Sequence, residues 1–353
     1  MQTAIFRGQG RIDIAEAPLP VPAPGEVLLR VRACSLCGSD LRPLRNGWPV
    51  TPGHEILGLV DQPGHALHGH RCLVYIPVWC GHCPTCRSGQ THLCDNATEL
   101  MGWQRAGGYA EAVTVPTQCL LPVPDDVPDH LAPRLLDTIG TAAHGVRLSR
   151  TLVPQGRALV LGAGPIGLGA LLVLQHFGYG PIDVVDPNAF RRGVAAELGA
   201  LLVLQHFGYG PVDVLDPNAF RRGVAAELGG HAVEAPEPGA RYPLVLECSG
   251  KDPARQAALE AVGPRGVVVQ LGEADAWAVT ETKAIRRKDF YYVRSFYFPI
   301  SEYEANIELL RARRSAYERL VDARVPLAGL EELFAQFARG ERLKPQLALE
   351  QTR

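Results

Sequence analysis

Four cysteines crowd into one short stretch as Cys80-x2-Cys83-x2-Cys86-x7-Cys94. Thiolates at that spacing close a tetrahedral zinc site against water, which is the pattern of a structural zinc. Cys34, Cys37, Cys72, Cys119 and Cys248 bring the total to nine, an odd count that argues against a disulfide framework. Three further pieces carry ligand chemistry at long separation: Cys37 in Cys37-Gly38-Ser39-Asp40, His54 in Gly53-His54-Glu55, and Asp137 in LLDTIGTAAHG. One thiolate, one imidazole and one carboxylate leave the fourth position of a tetrahedral metal open, as a catalytic zinc requires. Each alone is more often a packed core residue, and Cys34, within the alternating RVRACSL, is assigned to the core. A last motif, Gly162-Ala163-Gly164-Pro165-Ile166-Gly167, has the glycine spacing that lets a tight turn hold a pyrophosphate at a helix N-terminus.

These residues need elements to position them. The glycine motif ends RALVLGAG, which reads as a buried parallel strand, and opens PIGLGALLVLQHF, a helix with Pro165 in its first turn and Gly178 at its stop. The next strand, IDVVD, ends in Asp186, 19 residues beyond Gly167. A carboxylate there accepts the adenosine ribose hydroxyls and repels a 2′-phosphate, so NAD is expected rather than NADP. Arg191 and Arg192 read as a solvated helix face. NAFRRGVAAEL, YPLVLECSG and GVVVQLG continue the alternation, with FYYVRSFYF as a candidate closing strand, which predicts an α/β, doubly wound parallel sheet. Earlier runs such as EVLLRVRAC, ILGLVD, RCLVYIPV and YAEAVTV read as a mostly antiparallel β domain. Residues 1–147 and 299–353 are expected to form that domain, with its cysteine lobe at 80–94; residues 148–298 are expected to bind the dinucleotide.

The chain's 353 residues hold 35 basic and 37 acidic side chains, so nothing marks a nucleic-acid or other polyanionic partner. Only four of the basic residues are lysine: Lys251, Lys283, Lys288 and Lys344. No apolar run approaches the roughly 20 residues that cross a bilayer. MQTAIFRGQGRIDI lacks a signal-peptide core, so no membrane association and a cytoplasmic location are expected. Residues Ala170–Gly199 recur at once as Ala200–Gly229 with 28 of 30 positions identical, differing at Ile182/Val212 and Val185/Leu215. The repeat starts downstream of the glycine motif and therefore creates no second dinucleotide site. The second copy carries eight large apolar side chains between Leu201 and Leu215. Exposing them at about 1.5–3 kcal/mol each would forfeit a domain's net stability. Its strand is therefore expected to pack beside that of the first copy at the sheet edge. The first copy's second helix would run into the second copy, broken near Gly199.

Together, CGSD at Cys37, GHE at His54, the cysteine lobe, AGGYAEAV at Ala106, the spacing from Asp137 to His144 and GAGPIGL at Gly162 resemble one family over essentially the whole chain. It is that of the zinc-dependent alcohol dehydrogenases of the medium-chain dehydrogenase/reductase (MDR) type. The resemblance implies a GroES-like catalytic domain from both chain ends, a Rossmann domain between them, and a homodimer or homotetramer. It implies two zinc ions per chain, one catalytic and one structural, and hydride transfer between NAD and a secondary alcohol, polyol or amino alcohol (or the corresponding ketone). Zinc on Cys37, His54 and Asp137 would polarise the alcohol oxygen, and Ser39 would carry the hydroxyl proton outward. Glu55 would be a carboxylate behind the ligands or an alternate ligand.

Two departures from the family pattern stand out. At Gly69-His70-Arg71-Cys72 relatives usually carry a GDRV-like segment, whereas Asp137, which is Glu or Cys in many relatives, is also aspartate in some secondary-alcohol members. Relatives often place a histidine five residues after Cys37, where this chain has Arg42. Arginine stays protonated, so the proton relay would end in ribose and water, or Arg42 would pair with a phosphate. His65, His68 and His70 read as a solvated loop, and His82 and His92 as surface residues. Trp48, Trp79, Trp103 and Met101 are candidates for the substrate pocket as well as for the core. Two rival readings remain. One is a zinc-free quinone or enoyl reductase, against which the Cys37/His54/Asp137 set argues. The other is a zinc- and NAD-binding protein whose catalysis the duplication impairs.

Overall fold

The computed structural model describes residues 1–97, 99–198, 213–215, 231–233, 241–273, 276–279 and 281–349. The chain divides into two units, one of Met1–Asp137, Phe298–Ile307 and Tyr317–Arg353, the other of Thr138–Tyr297 and Glu308–Ala316. The first unit takes both chain ends. The division falls at Asp137/Thr138, and the short piece Glu308–Ala316 belongs to the second unit.

In the first unit, β1 (Gln2–Gly8) and β2 (Arg11–Glu16) pair antiparallel. β3 (Glu26–Ser35) buries its apolar residues almost continuously and is the spine of the larger sheet. It pairs antiparallel with β4 (Glu55–Val60), with β6 (Ala112–Pro116) and with the late strand β16 (Gln346–Ala348). β5 (Arg71–Val74) joins β4 to β7 (Leu120–Pro122), and β15 (Arg324–Val325) runs parallel to β16 at the far edge. Register brings Glu55 of β4 and Gln346 of β16 opposite the same residue, Ser35. A helix at Leu330–Ala338 buries Leu330, Leu333, Phe334 and Phe337, one apolar stripe at helical spacing. Phe334 meets the rings of Phe6 and Tyr109 edge-on, at 5.3 and 5.5 Å between centroids.

The second unit is built on five parallel strands in the order β14-β13-β12-β8-β9. These are β8 (Ala158–Leu161), β9 (Ile182–Val185), β12 (Tyr242–Glu247), β13 (Val262–Gln270) and β14 (Tyr291–Arg294). All four side chains of β8 are buried, as a central parallel strand demands. Leu159, Leu161, Val245, Leu259, Val262 and Val268 form the core between the sheet and the helix Asp252–Ala261. α4 (Pro165–His176) and α5 (Ala189–Glu197) follow β8 and β9. FYYVRSFYF supplies the edge strand β14 as expected. The fold is therefore an α/β, Rossmann-like sheet in one unit and a mostly antiparallel β sheet in the other.

The second copy departs from expectation. Its strand, β10 (Asp213–Leu215), pairs in parallel with β11 (His231–Val233) in a separate two-stranded sheet, not with β9. Among the described residues, β9 is an edge of the five-stranded sheet. The remainder of the second copy, and the junction near Gly199 where a break is expected, lie outside the described residues.

Candidate functional site

Two clusters among the described residues could hold a metal ion, and both lie in the first unit. The first gathers Cys80, Cys83, Cys86 and Cys94, whose sulfurs lie within 4.8 Å of one another. Backbone N–H groups of Cys80, Cys83 and Cys86 donate to the sulfurs of Cys94, Cys80 and Cys83, at 3.3–3.4 Å. The Asn96 amide donates to Cys80 Sγ at 3.4 Å. Hydrogen bonding, led by the backbone at His82, holds the Cys80 thiol down to about 5. Thiolate-favouring donors around four convergent sulfurs fit a closed tetrahedral ion. His82 is exposed as expected, but His92 is buried, a correction to its reading as a surface residue.

The second cluster joins three separate elements. Cys37 caps the turn Gly38–Asp40 that follows β3, His54 and Glu55 stand at the start of β4, and Asp137 opens a π-helical turn, Asp137–Thr141. Such turns recur at functional sites because they re-aim one side chain. One donor atom from each of Cys37, His54, Glu55 and Asp137 lies within 4.8 Å of the others. Asp137 Oδ2 is 3.1 Å from His54 Nε2 and 3.5 Å from Cys37 Sγ. The other imidazole nitrogen, Nδ1, lies 3.2 Å from Asp40 Oδ1, the arrangement that presents Nε2 to a metal. Asp40 Oδ2 accepts from the Cys37 amide at 2.9 Å and from the Tyr109 hydroxyl at 2.7 Å. One buried carboxylate therefore fixes two ligand residues.

The electrostatics of the set suit a cation. Burial, then Asp137, pushes the Cys37 thiol up, and burial raises Glu55 to about 7 despite Lys344. Burial alone would lower His54, yet Asp40, Asp137 and Cys37 carry it well above its ordinary value. Crowded acidic groups of this kind are what a divalent ion relieves, binding thiolate and neutral imidazole and releasing protons. Trp103 stacks on His54 at 5.7 Å between ring centroids. The Arg42 guanidinium lies over Trp103 at 4.7 Å, and Trp48 donates to the Trp103 carbonyl at 2.8 Å. Met101 is core, and Trp79 packs against the cysteine lobe. Ser39 is half-buried in the turn Gly38–Asp40. Cys34 is fully buried, and His68 and His70 are exposed, as read from the sequence.

In the second unit, the glycine motif forms the expected strand-to-helix turn. Gly162 has φ +99, and a Cβ on Gly167 would sit 1.7 Å from the Gly162 carbonyl oxygen. Gly164 caps α4 with open space at its Cβ position, and Pro165 and Ile166 begin the helix. Asp186 closes β9 and is buried. Its oxygens accept from the amides of Ala163 and Asn188, each at 2.7 Å, tying the carboxylate to the turn. Arg191 Nη1 lies 4.0 Å from that carboxylate, and Arg192 donates to the Asp186 carbonyl at 2.8 Å. Both arginines turn toward Asp186, which corrects the reading of a solvated face.

Sequence reasoning gave no role to Asp40, Tyr109, Lys344 or Arg134. Lys344 is fully buried and paired with Glu55, while Arg134, also buried, donates to Gln346 Oε1 at 2.6 Å. The available signal was Lys344 itself, one of four lysines in an arginine-rich chain and the only buried one.

Residues 23–125 match the alcohol dehydrogenase GroES-like domain. L-threonine 3-dehydrogenase of Xanthomonas campestris pv. campestris (strain B100) is 36% identical over 199 residues, covering 53% of this chain and 57% of that protein. The chain thus spans little more than half the length of the curated relatives it matches. An alcohol dehydrogenase from Thermus sp. ATN1 is 27% identical, with a TM-score of 0.81 over 99% of this chain and 100% of that one. Galactitol-1-phosphate dehydrogenase from Escherichia coli shares the fold, with a TM-score of 0.79 at 23% identity over 99% of this chain and all of that one. In domain match, sequence and fold the chain is similar to zinc-type MDR dehydrogenases.

Proposed function

We propose that this chain is a zinc-dependent dehydrogenase of the MDR family, moving hydride between NAD and a secondary alcohol, polyol or amino alcohol. The observation that carries the reading is the convergence of Cys37, His54 and Asp137, with Asp40 behind Cys37 and His54. Zinc there would supply Lewis-acid polarisation of the alcohol oxygen. Asp40 holds the imidazole in register, and Ser39, in the same turn as Cys37, moves the hydroxyl proton. The α4 N-terminus receives pyrophosphate, and Asp186 accepts the ribose hydroxyls with its remaining lone pairs. The threonine dehydrogenase likeness favours an amino alcohol within the proposed class.

Arg191 beside Asp186 supports a second cofactor reading, because a guanidinium there would pair with a 2′-phosphate. NADH and NADPH titrations followed by cofactor fluorescence separate the two. Tighter NADH binding is expected, and tighter NADPH binding reverses the assignment. Metal analysis should find two zinc ions per chain, falling to one in Cys37→Ser; one or none in the wild type contradicts the reading. None of the nine cysteines is joined in a disulfide, which suits a reducing compartment such as the cytoplasm. The proposed assembly, a homodimer or homotetramer, is read by sedimentation.

A further inference from the structure

The tandem copy has no part in the proposed chemistry, yet it carries a strand nearly identical to one that does. Ile182, Asp183, Val184 and Val185 of β9 correspond to Val212, Asp213, Val214 and Leu215. The two differences offset one another, since the second copy loses a methylene at the first position and gains one at the last. The flanking residues are the same, Gly180-Pro181 against Gly210-Pro211 and Asp186-Pro187-Asn188 against Asp216-Pro217-Asn218.

The contacts that hold β9 on β8 use groups that the second copy repeats. Ala158 donates its amide to the Pro181 carbonyl at 3.0 Å, and Gly162 donates to the Val185 carbonyl at 2.7 Å. Arg157 grips the Asp183 carboxylate with Nε at 2.9 Å and Nη2 at 2.8 Å. Ala163 donates to Asp186 Oδ2 at 2.7 Å. Backbone carbonyls and two aspartates do all of this, and the second copy has both aspartates at the same spacing. The other edge of β9 is open among the described residues, while β10 is already paired in parallel with β11.

We propose that β9 and β10 are interchangeable occupants of one place beside β8. In the register seen here β9 lies there; in the other, β10 lies there with β11 still attached, and β9 is released. Strand register is set by side-chain pattern, and two near-identical patterns set it twice. In both registers the same thirty residues' length is surplus between α4 and β11, so closing the chain costs the same in each. The second register also joins the two sheets of this unit into one, in the order β14-β13-β12-β8-β10-β11. The glycine motif precedes the repeat and serves either strand, and each strand is followed by an aspartate.

The test disables each strand in turn. The N–H and C=O of a strand residue point to the same side, so the Val185 carbonyl that accepts Gly162 puts the Val185 amide toward β8 as well. Proline there removes that donor and bars the strand from a paired position. Val185→Pro disables β9, Leu215→Pro disables β10, and the double variant disables both. NADH affinity by cofactor fluorescence and Tm by calorimetry are read on the full chain. Each single variant should fold and bind NADH within about fourfold of wild type, the difference one buried methylene makes. The double variant should bind NADH more than tenfold weaker and melt clearly lower. Either single variant that matches the double, or fails to fold, overturns the inference, because the other strand then does not stand in. A double variant that behaves as wild type overturns it too, because the place beside β8 then needs neither strand. The NADH readout rests on the glycine turn being the dinucleotide site, and Tm does not. A wild type that binds no NADH overturns that reading alone, and the melting temperatures still decide the exchange.

Discussion

Asp40 accepts the Cys37 amide and the Tyr109 hydroxyl on one oxygen and faces His54 with the other. In Asp40→Asn an amide NH2 must confront either those donors or the imidazole. Zinc affinity at the Cys37/His54/Asp137 site should fall by roughly 10–100-fold, while the cysteine lobe keeps its ion. Chelator-competition titration measures both sites together; loss at neither would deny Asp40 its role. The proposed ligands were legible because Cys37, His54 and Asp137 sit in recognisable motifs. Asp40 stood in view within one of them, but its partner Tyr109 comes from a distant segment propped by Phe334. Only tertiary packing brings these together.

At the scale of elements, the strand-to-helix turn at the glycines depends on space rather than on side chains. A methyl at Gly167 would meet the Gly162 carbonyl oxygen at 1.7 Å, so Gly167→Ala must open the turn. NADH binding should be lost and Tm should fall, with both zinc ions retained; unimpaired NADH binding would contradict the assignment of the turn. Here sequence was a good guide, since β8, α4, β9 and α5 follow from apolar periodicity, Pro165 and Gly178. It failed where local pattern competes with packing. The π-helical turn at Asp137 has no periodic signature. His92 is buried beside the cysteine lobe, and Arg191 and Arg192 turn inward because Asp186 offers both a carboxylate and a carbonyl.

For the whole molecule, the duplication adds length without adding a ligand or phosphate motif. β10 pairs with β11 through Asp213, Val214 and Leu215, and the same positions in β9 are Asp183, Val184 and Val185. Deleting residues 200–229 should therefore let β11 pair with β9 and extend the five-stranded sheet. The shortened chain should bind NADH and two zinc ions with Tm no lower than the full chain, by calorimetry; a clear drop in Tm would show that the second copy is a structural support. The central claim is that the three converging donors make a working dehydrogenase. NAD+ reduction by the fully zinc-loaded chain across secondary alcohols, polyols and amino alcohols tests it most directly, with Asp137→Ala alongside. The account predicts turnover of at least one class by the wild type and its loss in Asp137→Ala with the cysteine-lobe zinc intact. A wild-type chain that holds two zinc ions and binds NADH, yet reduces NAD+ with none of them, would contradict it.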